Sequence, residues 1–167
     1  MTRPNYPLRP YMTADTMGLR ELFAQSIDVL TEDDYGEDQR AAWASEAEDV
    51  DAFAKRLSSM VTLVIEVEDE LIGFGALKDN KAIEMLFVHP YRAREGVGST
   101  LLDALERIAK ARGAESLTVD ASDTAVLFFE ARGYTAMERS TVLRDDLWLT
   151  MTTMVKQLRG SDVPGKA

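Results

Sequence analysis

The segment Arg94-Glu95-Gly96-Val97-Gly98-Ser99-Thr100 lies between a strand-like run that ends at Val88 and the most regular helix pattern in the chain. Its glycines allow the backbone to turn tightly and to approach a ligand closely. The first turn of the helix presents N–H groups that lack carbonyl partners, and the helix dipole makes this end positive. The segment therefore predicts a binding loop for a phosphate or pyrophosphate group.

Two familiar phosphate-binding patterns do not fit this segment. A Walker loop requires a lysine after its last glycine, where this chain has Ser99. A dinucleotide-binding loop requires a third glycine, where the chain has Leu101, although Asp120 stands ~20 residues on, where a ribose-binding acid would lie. The sequence before the loop also indicates an antiparallel meander rather than half of a doubly wound sheet. The remaining candidate ligand is the pyrophosphate of coenzyme A.

The pattern around this segment predicts an α+β fold. Three apolar runs with short polar connections predict an antiparallel meander at Thr62–Glu68, Leu71–Leu77 and Ala82–Val88. The strand–helix–strand portion from Ala82 to Ala121 predicts a parallel pair, because such a crossover brings its strands side by side in one direction. We therefore expect a single twisted, mostly antiparallel sheet with one parallel βαβ pair and helices on both faces.

Weaker patterns predict the elements at either end of the chain. The predicted elements are a strand at Leu8–Tyr11, helices from Thr13 to Leu30, Asp38–Ala47, Val50–Ser59 and Asp123–Arg132, and a hairpin at Tyr134–Leu143 and Leu147–Val155. The acidic run Glu46–Asp51 is interpreted as a solvated face with helix-start charge.

Length and composition set limits on the kind of protein. The chain has 167 residues, which suits one domain, at 1–158, followed by a tail at 159–167 that we expect to be disordered. Its 19 basic and 29 acidic side chains leave a net charge of -10, which argues against a nucleic-acid partner. No apolar run approaches the ~18 residues of a membrane span, and the N-terminal residues lack the apolar stretch of a signal peptide. We therefore expect no membrane partner and a cytoplasmic protein.

Two residue types exclude whole classes of chemistry. The chain has no cysteine, which removes disulfides, thiolate metal sites and cysteine nucleophiles. Its single histidine, His89, excludes any catalytic or metal site that needs two. We therefore expect no metal.

Three motifs follow one another along the chain: Phe87-Val88-His89-Pro90, Gly96-Val97-Gly98-Ser99-Thr100-Leu101-Leu102 and Phe128-Phe129-Glu130-Ala131-Arg132-Gly133-Tyr134. In this order they resemble the motifs of the GNAT superfamily of N-acetyltransferases. The resemblance covers residues 8–158 and implies a GNAT-like fold, acetyl-CoA as the cofactor, an amine acceptor and a homodimer, since members are often dimers. It implies cofactor contacts at Leu86, Phe87, Val88, Arg94, Glu95, Gly96, Val97, Gly98, Ser99, Thr100 and Phe129, with the strand at 86–88 pairing with the pantetheine arm.

The chain departs from the family pattern at three positions. Ala93 replaces an Arg or Gln that often precedes the loop, although Arg92 and Arg94 flank it. Phe129 stands where many members have a tyrosine that protonates the leaving thiolate, and Ser122 replaces a frequent asparagine. The resemblance therefore does not supply the acid for the leaving group.

Two residues are candidates for proton transfer. Acetyl transfer to an amine needs a base, because an amine with a pKa near ~10 is mostly protonated at neutral pH. Alternation along the strand predicts that Glu84 shares a face with Ala82, Leu86 and Val88, where apolar neighbours would raise its pKa. The alternative is a solvated Glu84 that pairs with Lys81. Ser122 is either the thiolate's proton donor or the N-cap of the next helix.

Tyr35 and Trp43 lie in the region where GNAT members build the acceptor pocket. Aromatic walls beside acidic residues suit an ammonium group through cation–π attraction. The alternative is that both rings simply pack on the domain.

Three functions follow from these patterns. The first is an enzyme that acetylates a small-molecule or protein amine by direct attack. The second is a non-catalytic acyl-CoA sensor, which the departures at Ala93, Ser122 and Phe129 favour. The third is a nucleotide-dependent oxidoreductase.

Overall fold

A computed structural model describes residues 4–159. The predicted disordered tail at 159–167 lies outside the described residues, apart from Arg159. Helices occupy Thr16–Leu30 (α1), Glu37–Ala44 (α2), Val50–Ser58 (α3), Val97–Ala111 (α4) and Val126–Ala131 (α5). Strands occupy Leu8–Pro10 (β1), Val61–Val67 (β2), Glu70–Lys78 (β3), Ala82–Val88 (β4), Ser116–Ser122 (β5), Thr135–Arg144 (β6) and Leu147–Gln157 (β7).

The strands form one seven-stranded sheet in the order β1-β2-β3-β4-β5-β7-β6. Within residues 4–159, β4 and β5 are the one parallel pair, and α4 connects them. The predicted mixed sheet with its βαβ crossover is confirmed. Acidic and amide residues with positive φ form the hairpin turns: Glu68 and Asp69, Asp79 and Asn80, and Asp145 and Asp146.

Helices cover both faces of the sheet, as predicted. The face beneath α1, α2 and α3 buries Phe23, Phe53 and Phe74. The opposite face packs against α4 and α5 through Leu102, Leu105 and other residues that are almost fully buried. The regular helix that the sequence predicts after the binding loop is α4, and its apolar residues form this buried surface. In the described part of the chain, no helix is long and apolar enough to cross a membrane.

The two glycines of β3 allow α4 to lie close to the sheet. A Cβ built on Gly73 would stand 2.6 Å from Cγ1 of Val97, and one on Gly75 would stand 3.0 Å from Cδ1 of Leu105. Real Cβ atoms almost never come as close to another heavy atom as the first distance, and the second is tighter than nine in ten real Cβ contacts. The element that lies close to β3 at both glycines is α4. This contact sets the position of the start of α4.

The α5 region differs from its prediction. Its helix begins at Val126 with Ala125 as N-cap, not near Asp123. Ser122 is the last residue of β5, and its carbonyl accepts a hydrogen bond from the N–H of Ala125 at 2.9 Å. The interpretation of Ser122 as a helix N-cap is therefore wrong, because a turn separates it from the helix.

Candidate active site

The parallel strands β4 and β5 touch only at one end. Their register pairs Ala82 with Thr118 and Ile83 with Val119, and no further pair follows within residues 4–159. Beyond Ile83 the strands separate and open a cleft in the sheet. Two cavities meet in it and share six lining residues: Trp43, Leu86, Phe87, Ser122, Ala125 and Phe129.

The larger cavity has a volume of about 470 Å³ and reaches the start of α4. Arg94 and Gly96 lie at this end with φ of 65° and 87°, so the loop makes a left-handed turn immediately before the helix. Glycine adopts this conformation without strain. The turn leaves the first N–H groups of α4 without intrahelical partners, facing the end of the cavity.

Gly98 keeps the cleft open beside the helix. A Cβ at this position would meet Cγ2 of Val88 and Cζ of Phe128, each at 3.6 Å. Gly98 therefore lies between a residue of β4 and a residue of α5, on the two sides of the cleft. A larger side chain here would fill the space through which a ligand reaches α4.

The other predicted loop residues have different surroundings. Val97 is buried in the core, and the hydroxyl of Thr100 donates to the carbonyl of Gly96 at 2.8 Å. The Glu95 carboxylate lies 3.6 Å from Arg92, and its carbonyl accepts from Oη of Tyr6. Ser99 and Arg94 line the larger cavity.

The open edge of β4 offers backbone hydrogen-bonding groups to the cleft. The N–H of His89 donates to the carbonyl of Ile72 in β3 at 2.9 Å. Two residues earlier in β4, Phe87 pairs with Phe74, which also belongs to β3. Because ladder bonds alternate along an antiparallel strand, the backbone groups of Leu86 and Val88 point away from β3. They therefore face the cleft.

The smaller cavity, of about 230 Å³, lies on the α1–α3 side of the cleft. Glu84 lines it because β4 is irregular: Ala76 pairs with Met85, but Leu77 pairs with Ile83, so Glu84 is skipped. Such a bulge redirects side chains. The predicted alternation is wrong here, because Glu84 lies on the side of Met85 and Phe87 and not on that of Leu86 and Val88.

Glu84 binds an arginine in this cavity. Its Oε2 accepts a hydrogen bond from Nη2 of Arg56 at 3.1 Å, and its side chain keeps 30% of its exposure. The alternative pairing with Lys81 is therefore wrong, because Glu84 pairs with Arg56. The cavity has the expected apolar residues, but the arginine beside the carboxylate was not expected. The arginine belongs to α3 and holds the carboxylate at the edge of the cavity.

Sequence reasoning missed the rest of this charged cluster. Glu46 accepts hydrogen bonds from Nη1 of Arg56 at 3.4 Å and from Nε of Arg144. All three residues line the smaller cavity. The interpretation of Glu46 as part of a solvated acidic face is wrong, because two arginines cover it. The separation of 98 residues between Glu46 and Arg144 leaves no local signal that could have revealed the pair.

Ser122 and Phe129 lie where the two cavities meet. Within residues 4–159 the Ser122 hydroxyl has no hydrogen-bond partner, so it is free to face a ligand. Phe129 is buried and packs edge-on against Phe128 and Tyr134. Its ring forms part of the cleft wall and carries no proton donor.

Trp43 and Tyr35 have different positions. Trp43 lines both cavities and packs edge-on against Phe87. Tyr35 lies behind Trp43, where its Oη donates to the carbonyl of Thr150 at 2.6 Å and accepts from the N–H of Asp123 at 2.8 Å. Burial raises the pKa of Tyr35 to about 12. Tyr35 thus joins three segments behind the cavity wall and is not part of the wall.

Comparison with known proteins places these features in a family. Residues 31–158 match the family described as acetyltransferase (GNAT) domain. The chain belongs to this GNAT family. It is also 30% identical over 146 residues to the uncharacterized N-acetyltransferase YafP of Escherichia coli K12, a match that covers 87% of this chain and 92% of the relative.

Solved structures support the same assignment. A GCN5-related N-acetyltransferase from Rhodopseudomonas palustris is 48% identical, with a TM-score of 0.92, and the match covers 94% of this chain and 98% of that one. PaiA N-acetyltransferase from Thermoplasma acidophilum, solved with coenzyme A, is 19% identical with a TM-score of 0.77, covering 92% and 99%. At this lower identity the likeness concerns the fold alone.

GNAT enzymes use acetyl-CoA, and the residues of the larger cavity fit this cofactor. The unpaired N–H groups at the start of α4 suit a pyrophosphate, as anions bind readily at helix N-termini. The exposed backbone of Leu86 and Val88 suits an amide-bearing arm, and Gly98 leaves room for it between Val88 and Phe128. Both features lead toward the junction of the cavities.

Proposed function

We propose that this GNAT acetyltransferase transfers the acetyl group of acetyl-CoA to a primary amine of a small molecule or a protein. The amine would occupy the smaller cavity and attack directly. The observation that carries this proposal is the junction of the two cavities, with α4 at the far end of one and Glu84 at the edge of the other. A donor and an acceptor bound in these cavities would meet at Leu86, Phe87 and Ser122.

The backbone would hold the donor. N–H groups of the first turn of α4 would bind the pyrophosphate, and the free groups of Leu86 and Val88 would bind the arm and orient its end. Acetyl-CoA, when bound, supplies an acetyl thioester. Leu86 and Val88 would also offer N–H groups to a polarised oxygen, which stabilises developing negative charge.

Glu84 would accept the proton of the acceptor amine. An amine with a pKa near ~10 is mostly protonated at neutral pH, so a carboxylate beside it assists by taking the proton directly or through water. The hydrogen bond from Arg56 holds the carboxylate at the cavity edge, so the position of Glu84 does not depend on the acceptor.

The Ser122 hydroxyl would donate a hydrogen bond to the departing sulfur and relay a proton to it from water in the cleft, so that Ser122 ends as the neutral hydroxyl. It lines both cavities at their junction and makes no hydrogen bond to another described residue. Phe129, at the position where many family members have tyrosine, cannot perform this step. Direct protonation by water, without Ser122, is the alternative in this cleft.

Incubation of the purified protein with acetyl-CoA and a panel of primary amines tests the proposed transfer. We expect free thiol to appear only when an amine is present, together with a product heavier by one acetyl group in mass spectrometry. Thiol release at the same rate without amine, or no acetylated product from any amine or peptide, would contradict the proposal.

One observation favours a second function, that of a non-catalytic acyl-CoA sensor. Phe129 leaves the junction without the tyrosine hydroxyl that many members carry there. A sensor would bind acetyl-CoA and acetylate no amine in the same panel. The cytoplasmic location and the homodimer stay predictions. Sedimentation tests the dimer, and β6 is an exposed edge strand at which two sheets can pair.

A further inference from the structure

The smaller cavity contains two positive groups that a simple amine does not require. Arg56 and Arg144 both line it, and each side chain keeps 34% of its exposure. Glu46, Glu84 and Asp120 line the same cavity, so its carboxylates outnumber its guanidinium groups and attract an acceptor that enters as an ammonium ion. A plain alkylamine would use these carboxylates and the aromatic rings of the cavity and would leave the arginines without a role. The two guanidinium groups are therefore available to recognise a second, anionic group on the acceptor.

The carboxylates already present do not occupy all the donors of the arginines. Arg144 uses Nε toward Glu46 and Nη1 toward the carbonyl of Leu143. Arg56 uses Nη1 toward Glu46 and Nη2 toward Glu84. A guanidinium carries five N–H donors in a planar fork that matches a carboxylate. Glu46 thus orients both arginines and leaves donors on each for a ligand.

The charges are also arranged along the cavity. Glu84 belongs to β4, at the cleft, whereas Glu46 and Arg144 belong to the α2–α3 connection and to the end of β6. Asp120 of β5 adds a carboxylate on the cleft side, where it accepts from Oγ1 of Thr153 at 2.8 Å. An ammonium group therefore has carboxylates at the cleft, and an anionic group has an arginine farther away.

Resting on the proposed function, we propose that the acceptor is an amine that carries a carboxylate, as an amino acid does, and that Arg144 and Arg56 bind this carboxylate. Such a molecule would place its amine beside Glu84 at the cleft and its carboxylate against the arginines. It is neutral overall, so the chain's net charge of -10 does not repel it as it would an anion. The volume of about 230 Å³ suits a small acceptor, since drug-sized ligands occupy ~300–1,000 Å³.

The remaining lining residues set the character of the acceptor side chain. Phe23, Trp43, Val142 and Met151 contribute aromatic and aliphatic surface to the same cavity. An apolar amino acid would bury its side chain against these residues. Leucine, phenylalanine and methionine are therefore suitable probes.

The test compares each amino acid with its decarboxylated amine. The pairs are leucine with isoamylamine, phenylalanine with 2-phenylethylamine and methionine with 3-methylthiopropylamine. Each compound is measured with wild type, Arg144→Gln and Arg144→Lys, and the control is Arg107→Gln, which removes the same charge from an exposed position of α4. For each compound, kcat/KM of the wild type is divided by kcat/KM of the variant. The different pKa values of the amines affect both numbers equally and therefore do not affect this ratio.

We expect Arg144→Gln to lower kcat/KM for the amino acids by about tenfold to a hundredfold, the usual effect of losing a hydrogen bond to a charged group. The decarboxylated amines should change by less than threefold, and Arg144→Lys should recover part of the loss. Calorimetric titration of the amino acids into wild type and Arg144→Gln, with coenzyme A present, should show the same selective loss without turnover.

Two results would overturn this inference and leave the proposed function intact. One is equal loss of activity with amino acids and amines in Arg144→Gln. The other is acetylation of amines by a wild-type protein that neither binds nor acetylates the amino acids. No transfer to any compound would instead contradict the proposed function, and the calorimetric titrations would still decide whether the arginines bind a carboxylate.

Discussion

Glu84 shows how one irregular residue can place a functional group. The carboxylate reaches the smaller cavity only because the β4 bulge leaves it unpaired with β3 and turns it toward α3. Arg56 then holds it at 3.1 Å. In a regular strand the same glutamate would point to the other face of the sheet, toward α4. The role that we propose for it therefore depends on the bulge.

We expect Glu84→Gln to lower kcat at pH 7 by about 10²–10⁴-fold, the range observed when a general base is removed. Glutamine keeps the size of the side chain and an oxygen that can accept from Arg56, but it cannot take a proton. Calorimetric titration should show an unchanged affinity for acetyl-CoA. Glu138→Gln, at an exposed position of β6, is the control. Turnover equal to that of the control would remove Glu84 from the mechanism.

Tyr35 contributes to stability rather than to chemistry. Tyr35→Phe would leave the Asp123 N–H and the Thr150 carbonyl without their partner, which costs about 1–3 kcal/mol of unfolding free energy when such groups are buried. Urea denaturation at pH 7 measures this loss. Tyr91→Phe is the control, because Tyr91 is 87% exposed. Equal midpoints for the two variants would contradict this role.

The pKa of Tyr35 adds a dependence on pH. Because burial raises the pKa from 10.0 to about 12, the folded protein retains this proton more strongly than the unfolded chain does. Protonated Tyr35 therefore contributes to the free energy of unfolding, and this contribution is complete below pH 10 and is lost as the pH rises toward 12. Between pH 9 and pH 11 wild type should lose roughly 1 kcal/mol more than Tyr35→Phe. An identical pH dependence for the two proteins would contradict this assignment.

At the level of residues, local patterns revealed the loop and not the charged cluster. Gly96 and Gly98 indicate a turn before a helix, and such a turn depends only on neighbouring residues. Glu46, Arg56 and Arg144 come together only after α3 and β6 have packed. Single charged residues show no periodic pattern from which a distant contact could be predicted, so the sequence could not identify this cluster.

The contact between β3 and α4 is the central packing interaction at the level of elements. Gly73 and Gly75 allow the helix to approach, and Val97 at the start of α4 fills the space above Gly73. Since the N–H groups proposed to bind pyrophosphate begin at the same place, this contact also positions the cofactor site. The free energy of unfolding and the binding of the cofactor should therefore both depend on Gly73.

We expect Gly73→Ala to lower the free energy of unfolding by about 1–3 kcal/mol, as overpacking usually does. The new Cβ would lie 2.6 Å from the stiff side chain of Val97 and 3.1 Å from Leu101. Gly98→Ala is the matched control, since its Cβ would have contacts of 3.6 Å only. Urea denaturation of both variants measures the difference. A Gly73→Ala protein as stable as Gly98→Ala would contradict the close packing.

Strongly periodic elements were predictable, and their interruptions were not. Apolar runs with short polar connections indicated the meander, and the regular helix pattern after the binding loop indicated α4, because the burial of strands and helices imposes such patterns. The bulge in β4 shifts the faces by one residue, and nothing in residues 82–88 marks it. The start of α5 was also misplaced, because the turn after Ser122 contains residues that are common in first helical turns.

At the scale of the whole molecule, the site is a consequence of sheet topology. The α4 crossover makes β4 and β5 parallel, and their early separation opens one cleft that both cavities share. Residues of α1, α2 and α3 line the smaller cavity, whereas residues of α1, α2 and the start of α4 line the larger one. The order of the elements could be predicted from the sequence. The separation of β4 and β5 could not, because no residue of either strand marks the point after Ile83 where their pairing ends.

Calorimetric titration of acetyl-CoA into wild type, Gly98→Ala and Gly98→Val tests the central claim, that this cleft binds the cofactor. We predict one site per chain in wild type and at least a tenfold loss of affinity in Gly98→Val, whose methyl groups would fill the space between Val88 and Phe128. Gly98→Ala should lose less, and all three proteins should unfold at similar urea concentrations. No binding to wild type, or equal affinity in the folded Gly98→Val protein, would contradict the account.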